Sequence, residues 1–264
     1  MSALPQFYGL ELSRRGRLLE IAFNRPEVLN AIDAGLHAIL PEALHFAAED
    51  PLSDVILLTG RGKAFSAGGD LDHMEEMIAD PSQFVAEAHD AKRIVFALLD
   101  IEKPVVARVN GAAVGLGATL ALFCDVIFAA EQAKFGDPHV GVGLVAGDGG
   151  AIIWPQLIGF ARAKEYLLTG DLLTAPEAAA LGLINHAVPA GELDAAVDAF
   201  CDKLLAGRQQ AIRWTKAVTN IELRRIATAA MDAGIAYETA SQRMPDHAEA
   251  VAALKARIAQ SSKG

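Results

Sequence analysis

Four short runs of apolar, mostly branched residues recur along the first half of the chain: Leu18–Asn24, Val55–Thr59, Val105–Val109 and Val126–Ala129. Each is too short for a helix and too continuously apolar for a strand with one wet face. Each therefore predicts a buried strand covered on both sides. Between them lie stretches with helical spacing: Ala31–Ala48, with Asp33 placed as its N-cap, then Leu71–Ile78, then Phe84–Leu99, which stops before Pro104. Strands interleaved with helices predict an α/β fold with a buried sheet. Near residue 200 the pattern changes to long helical periodicity, in Leu193–Leu205, Arg208–Val218, Ile221–Ser241 and Asp246–Ala259. The chain of 264 residues thus divides into a body, 1–200, and a helical region, 201–264.

Charge divides in the same place. The formal net charge is −10, yet residues 202–264 hold ten basic and six acidic side chains. An acidic body is a poor binder of polyanions, so no nucleic-acid or membrane partner is expected. A hydrophobic share of 52% excludes disorder. Cys124 and Cys201 cannot form a disulfide framework and predict reduced thiols in a cytoplasmic protein. The N-terminal residues lack the basic-then-apolar pattern of a leader. The longest uncharged run, Val109–Cys124, is shorter than the ~20 residues of a membrane span.

Three glycine-rich stretches could carry chemistry. Arg61–Leu71 follows an apolar run and brings small residues before a helix, so its backbone can approach a ligand closely. It has neither the lysine position of a phosphate-binding loop nor the Gly-x-Ser-x-Gly of a nucleophile elbow. A tight turn with Asp70 as helix cap explains it equally well. Asn110–Thr119 enters an apolar helix without dinucleotide-binding spacing, and close helix–sheet packing is its alternative. Phe135–Gly150 places His139 and Asp148 in a mobile, glycine-rich segment. A histidine with a carboxylate partner is a ready general base, although a lone histidine is commonly structural. Among the others, His37 and His45 share a predicted helix, and His73 and His89 lie in acidic helical surroundings. No metal-ligand spacing occurs, so no metal is expected.

In order and spacing these segments resemble the crotonase (enoyl-CoA hydratase/isomerase) superfamily. The resemblance runs through Asn24–Ala31, Lys63–Leu71, Lys103–Gly111, Cys124–Ile127, Ala133–Gly136 and Glu177–Asn185, nearly the whole chain. It implies a spiral of β-β-α turns with a C-terminal helical trimerisation region, in a trimer or a dimer of trimers. It also implies an enolate-like oxyanion held by two backbone N–H groups, which fall on Ala67 and Leu116. The substrate-binding positions it implies are Arg25, Lys63, Ala64, Phe65, Ser66, Gly68, Gly69, Asp70, Leu71, Gly115, Thr119 and Trp154. Arg25, Arg61 and Lys63 offer charge to coenzyme A, which enters as part of the substrate rather than as a cofactor. Met74, Met77 and Trp154 are candidate pocket walls.

The two glutamates that handle water in the family's hydratases would fall at Thr119 and His139. Threonine does not exchange protons near neutral pH, so the two-carboxylate mechanism is not available. The Gly-Asp-Pro-His139 and Val-Ala-Gly-Asp148-Gly segments instead resemble oxo-camphor hydrolase, whose His and Asp form a catalytic dyad. The leading expectation is an acyl-CoA enzyme with a His139–Asp148 base. The alternatives are a retro-Claisen hydrolase of a β-diketone or β-keto thioester, and a non-catalytic or RNA-binding member.

Overall fold

The structure, a computed structural model, describes residues 4–261. In chain order its body comprises β1 (Leu10–Arg15), β2 (Leu18–Phe23), α1 (Ala34–Glu49), β3 (Val55–Gly60), α2 (Leu71–Ala79), α3 (Pro81–Asp100), β4 (Val105–Val109) and β5 (Ala113–Val114). There follow α4 (Leu116–Leu122), β6 (Val126–Ala130), β7 (Lys134–Gly136), α5 (Gly150–Thr169), β8 (Leu173–Thr174), α6 (Ala175–Leu181) and β9 (His186–Val188). Three helices close the chain: α7 (Leu193–Leu205), α8 (Gln209–Gln242) and α9 (Pro245–Ser261).

The four apolar runs are β2, β3, β4 and β6, inside a six-stranded sheet ordered β1-β2-β3-β4-β6-β9. Only β1 and β2 pair antiparallel; every later pair is parallel. Alternate residues of one strand enter different cores, which is why the runs are apolar throughout. Ile56, Leu58, Ala107 and Ile127 join the large core under α1 and α3. Val55, Leu57, Val106 and Phe128 meet Leu193, Val197 and Cys201 of α7 on the other face.

A second layer advances one step with each turn of chain. Ile32 bridges Gly69, Ser66 bridges Ala113, and β5 pairs with β7, all in parallel. Each chain segment thus gives one strand to the main sheet, a short one to this layer, and then a helix. That repeated β-β-α step is the spiral expected from the resemblance. Asp33 and Asp70 cap α1 and α2, accepting from Leu36 N–H at 2.9 Å and from Asp72 N–H at 3.0 Å.

Two expectations change. The helices read as Arg208–Val218 and Ile221–Ser241 are one, α8. Thr219 and Asn220 do not break it, because Thr219 donates back to the Lys216 carbonyl and Asn220 donates to that of Leu99. The segment around His139 is clamped rather than mobile. A Cβ on Gly143 would lie 2.8 Å from the His247 amide nitrogen, and one on Gly147 would lie 2.3 Å from the Gly234 carbonyl oxygen. Its glycines permit close backbone approach.

Candidate active site

Asn30 fastens the loop before α1 to the loop before α2. Its buried side chain donates to the carbonyls of Arg61 and Ala64, both at 2.9 Å, and accepts from Arg25 N–H at 2.8 Å. Ser66, also buried, donates to the Asn30 carbonyl at 2.8 Å. Leu29 and Asn30 are held in the left-handed region by these bonds, with φ of 55° and 56°. The same loop engages one expected oxyanion donor, for Ala67 N–H donates to the Leu29 carbonyl at 3.0 Å.

The free amides lie elsewhere. Among the described residues neither Gly69 N–H nor Leu116 N–H, in the unpaired first turn of α4, has a hydrogen-bond partner. Their predecessors Gly68 and Gly115 both have positive φ and abut. A Cβ on Gly68 would lie 2.7 Å from the Val114 carbonyl oxygen and 3.7 Å from the Gly115 Cα. The available donor pair is therefore Gly69 with Leu116, and the expectation of Ala67 is corrected because its N–H is already bonded.

Beside this pair stands His139, whose Cε1 lies 3.7 Å from the Cβ position of Gly115. Its Nδ1 makes a very short contact with Asp137. Its Nε2 is 3.6 Å from Asp148 and 3.8 Å from Glu238 of α8. The carboxylate that orients the ring is thus Asp137; Asp148 stands on the opposite, cavity-facing nitrogen. Thr119 donates to Asp148 at 3.5 Å.

Burial disfavours the imidazolium, but Asp137, Asp148 and Glu238 together outweigh it and hold His139 well above the usual imidazole range. Burial also raises Asp148, reinforced by Asp137 and opposed by His139. Glu238 is pushed up to about 8 by burial and the Asp148 charge. Asp137, His139 and Asp148 are also the residues that could hold a metal ion, with ligand atoms within 4.8 Å of one another.

Two spaces meet at His139. An outer apolar groove of about 670 Å³ runs past Val28, Leu29, Ala67–Leu71, Gly115 and the α9 residues Leu254 and Ile258. An inner cavity of about 80 Å³ lies beyond, walled by Met74, Met77, Leu116, Asp148, Glu238 and His247. Gly69, Asp70, Met74 and His139 border both.

Of the other expected binding residues, Gly68, Asp70, Leu71 and Gly115 line the groove. Ala64, Phe65 and Ser66 are buried behind it, Phe65 edge-on to Phe23 at 5.3 Å. Arg25 is bound to Asp33 at 2.9 Å and Arg61 to Glu11 and Glu20 at 2.6 and 2.7 Å, so neither offers free charge. Lys63 is exposed and has no ion pair among the described residues. Trp154 is fully buried in the core and lines neither space, whereas Met74 and Met77 are cavity walls. Cys124 and Cys201 are buried free thiols.

Sequence reasoning missed Asp137, Glu87, Glu238 and His247, and gave His37 and His73, which also line the inner cavity, no role. Asp137 lay within the quoted motif. Glu238 had one signal, the helix-disfavouring Gly234 one turn before it, which lets α8 touch the Gly147 backbone.

A β-β-α spiral with two backbone N–H groups unpartnered among the described residues, beside a largely buried imidazole, defines an α/β protein that gathers donors and a titratable group at one point. Residues 13–255 match the enoyl-CoA hydratase/isomerase family, and the chain belongs to it. It is 35% identical over 239 residues to a crotonyl-CoA hydratase of Syntrophomonas wolfei, covering 88% of this chain and 91% of that one. The crystal structure of an enoyl-CoA hydratase/isomerase from Mycobacterium paratuberculosis superposes with a TM-score of 0.89 at 39% identity, covering 92% and 97% of the two chains. A beta-diketone hydrolase from Anabaena sp. PCC 7120, bound to (S)-3-oxocyclohexyl acetic acid, superposes with a TM-score of 0.83 at 28% identity, covering 90% and 95%.

Proposed function

We propose that the protein acts on acyl-CoA thioesters through an enolate, with His139 as the group that moves the proton. The observation that carries this is the pair of unpartnered amides, Gly69 and Leu116, beside the His139 ring. A thioester oxygen placed between them receives two preorganised donors where charge develops. Asp137 holds the Nδ1 proton, so Nε2 is the exchanging atom, with Asp148 and Glu238 able to receive or return its proton. The outer groove takes the pantetheine, and coenzyme A is part of the substrate, with no separate cofactor. Replacing His139 by Ala should lower turnover of the preferred thioester by about 10²–10⁴. A variant that kept the wild-type rate would end the proposal.

The second reading is cleavage of a carbon–carbon bond in a β-diketone or β-keto thioester. In it His139 activates water against one carbonyl, the bond between the α carbon and that carbonyl breaks, and the enolate leaves against the two amides before protonation. Three features favour it: the resemblance puts Thr119 and His139 at the positions of the hydratases' glutamates, Asp148 and Glu238 both face Nε2, and a beta-diketone hydrolase superposes well. Turnover of crotonyl-CoA measured against β-ketoacyl-CoA and cyclic diketones separates the two readings.

The same reading makes the protein a cytoplasmic homotrimer or hexamer. Trp214, Val218, Ile221 and Tyr237 of α8 are all more than half exposed, which favours burial against a second copy. No helix among the described residues is long and apolar enough to cross a membrane.

A further inference from the structure

Three buried imidazoles that proton transfer at His139 leaves unused line the inner cavity: His73, bonded to Glu76 at 3.2 Å and to Glu87, and His37 and His247. His247, at the start of α9, is 1% exposed, and its Nδ1 lies 2.6 Å from the Val142 carbonyl oxygen. A carbonyl only accepts, so Nδ1 carries the proton and Nε2 of the neutral ring presents a lone pair. That Nε2 is buried with no protein partner, as is Nδ1 of His37. Both rings line the cavity that begins at His139.

A plain alkyl chain would leave the Nε2 acceptor facing carbon, and an unpaired buried acceptor is penalised. A carboxylate would bring further acceptors into a cavity that Glu87 and Asp148 already line. A neutral hydroxyl supplies the missing donor, and it meets no charge at His37, whose pKa burial lowers to about 4. The volume of about 80 Å³, at ~10–15 Å³ for each water centre, suits a fragment of roughly six non-hydrogen atoms.

We propose that the inner cavity is the subsite for a hydroxylated acyl group, whose hydroxyl, remote from the thioester, donates to Nε2 of His247. His247 then determines preference for such substrates over unsubstituted chains. This rests on the acyl-CoA reading above.

Calorimetry with non-reacting hexanoyl-CoA, 5-hydroxyhexanoyl-CoA and 6-hydroxyhexanoyl-CoA tests it. The wild type should bind one hydroxylated ligand about tenfold or more tightly than hexanoyl-CoA. His247→Asn keeps a side-chain N–H for Val142 but ends short of the Nε2 position, so it should bind all three alike. Equal wild-type affinities would mean that water satisfies Nε2 and would overturn the inference alone. A preference persisting in His247→Asn would overturn it too. Binding of none of the three would overturn the acyl-CoA reading and the inference with it. If His247→Asn does not fold, the wild-type comparison decides.

Discussion

His139 owes its behaviour to a residue two places earlier. Asp137 reaches Nδ1 because Pro138 turns the chain and Gly150 leaves room: a Cβ there would fall 1.7 Å from the Asp137 Oδ2. The carboxylate also sits at the start of α5, where the helix dipole favours an anion. With the ring held charged, the base-competent form increases as pH rises through a value well above 6.5. Replacing Asp137 by Asn removes the nearest charge, so the rising limb of the pH–rate profile should move to lower pH while the maximal rate falls. A limb that stayed in place would show that Asp148 and Glu238 set the His139 value. The motif containing His139 was legible in the sequence. The division of labour between two aspartates was not, because it depends on which ring nitrogen each reaches.

Two long-range side chains tie elements to the site. Glu238 is carried by α8 from the far end of the chain and buried beside Asp148. Its folded value of about 8 lies above the ordinary 4.5, so the native state keeps a proton the unfolded chain has lost. Stability should therefore fall as pH rises from 4.5 to 8. Glu238→Gln should remove part of that slope, on the order of 1–3 kcal/mol between pH 5 and 8, in urea melts at each pH. Lys103 plays a purely structural part, donating to the carbonyls of Ala47 and Asp50 at 2.8 and 2.6 Å and to Ser53 at 3.2 Å. It holds the C-terminal end of α1 against β4. Lys103→Met strands three acceptors and should cost about 2–4 kcal/mol, read as a lower denaturation midpoint with unchanged slope. The extents of β4 and α7 were read correctly because each is one uninterrupted pattern. The unity of α8 was not, since Asn220 looks like a break until Leu99 is beside it.

At the scale of the molecule, the acidic body and basic helical end are less separate than the charge count suggests. Lys255 of α9 borders the outer groove and bridges Asp72 and Glu75 of α2, each at 2.6 Å. Of the three cations expected to meet coenzyme A, Lys63 is the one with no ion pair among the described residues. If α8 forms the contact between copies, Val218→Asp combined with Ile221→Asp should convert the sedimenting species from trimer to monomer. A wild-type monomer at micromolar concentration would remove the proposal.

By itself the sequence determined the layered α/β fold and the glycine-rich loops. These follow from local periodicity and residue type, which neighbours in the chain suffice to express. Only the tertiary structure decided that Ala67 N–H is bonded while Gly69 N–H is free, that Asp137 orients His139, and that Glu238 and His247 face the same cavity. Each depends on the direction of one bond vector, or on residues separated by many turns of the spiral, and such relations exist only once the chain is packed.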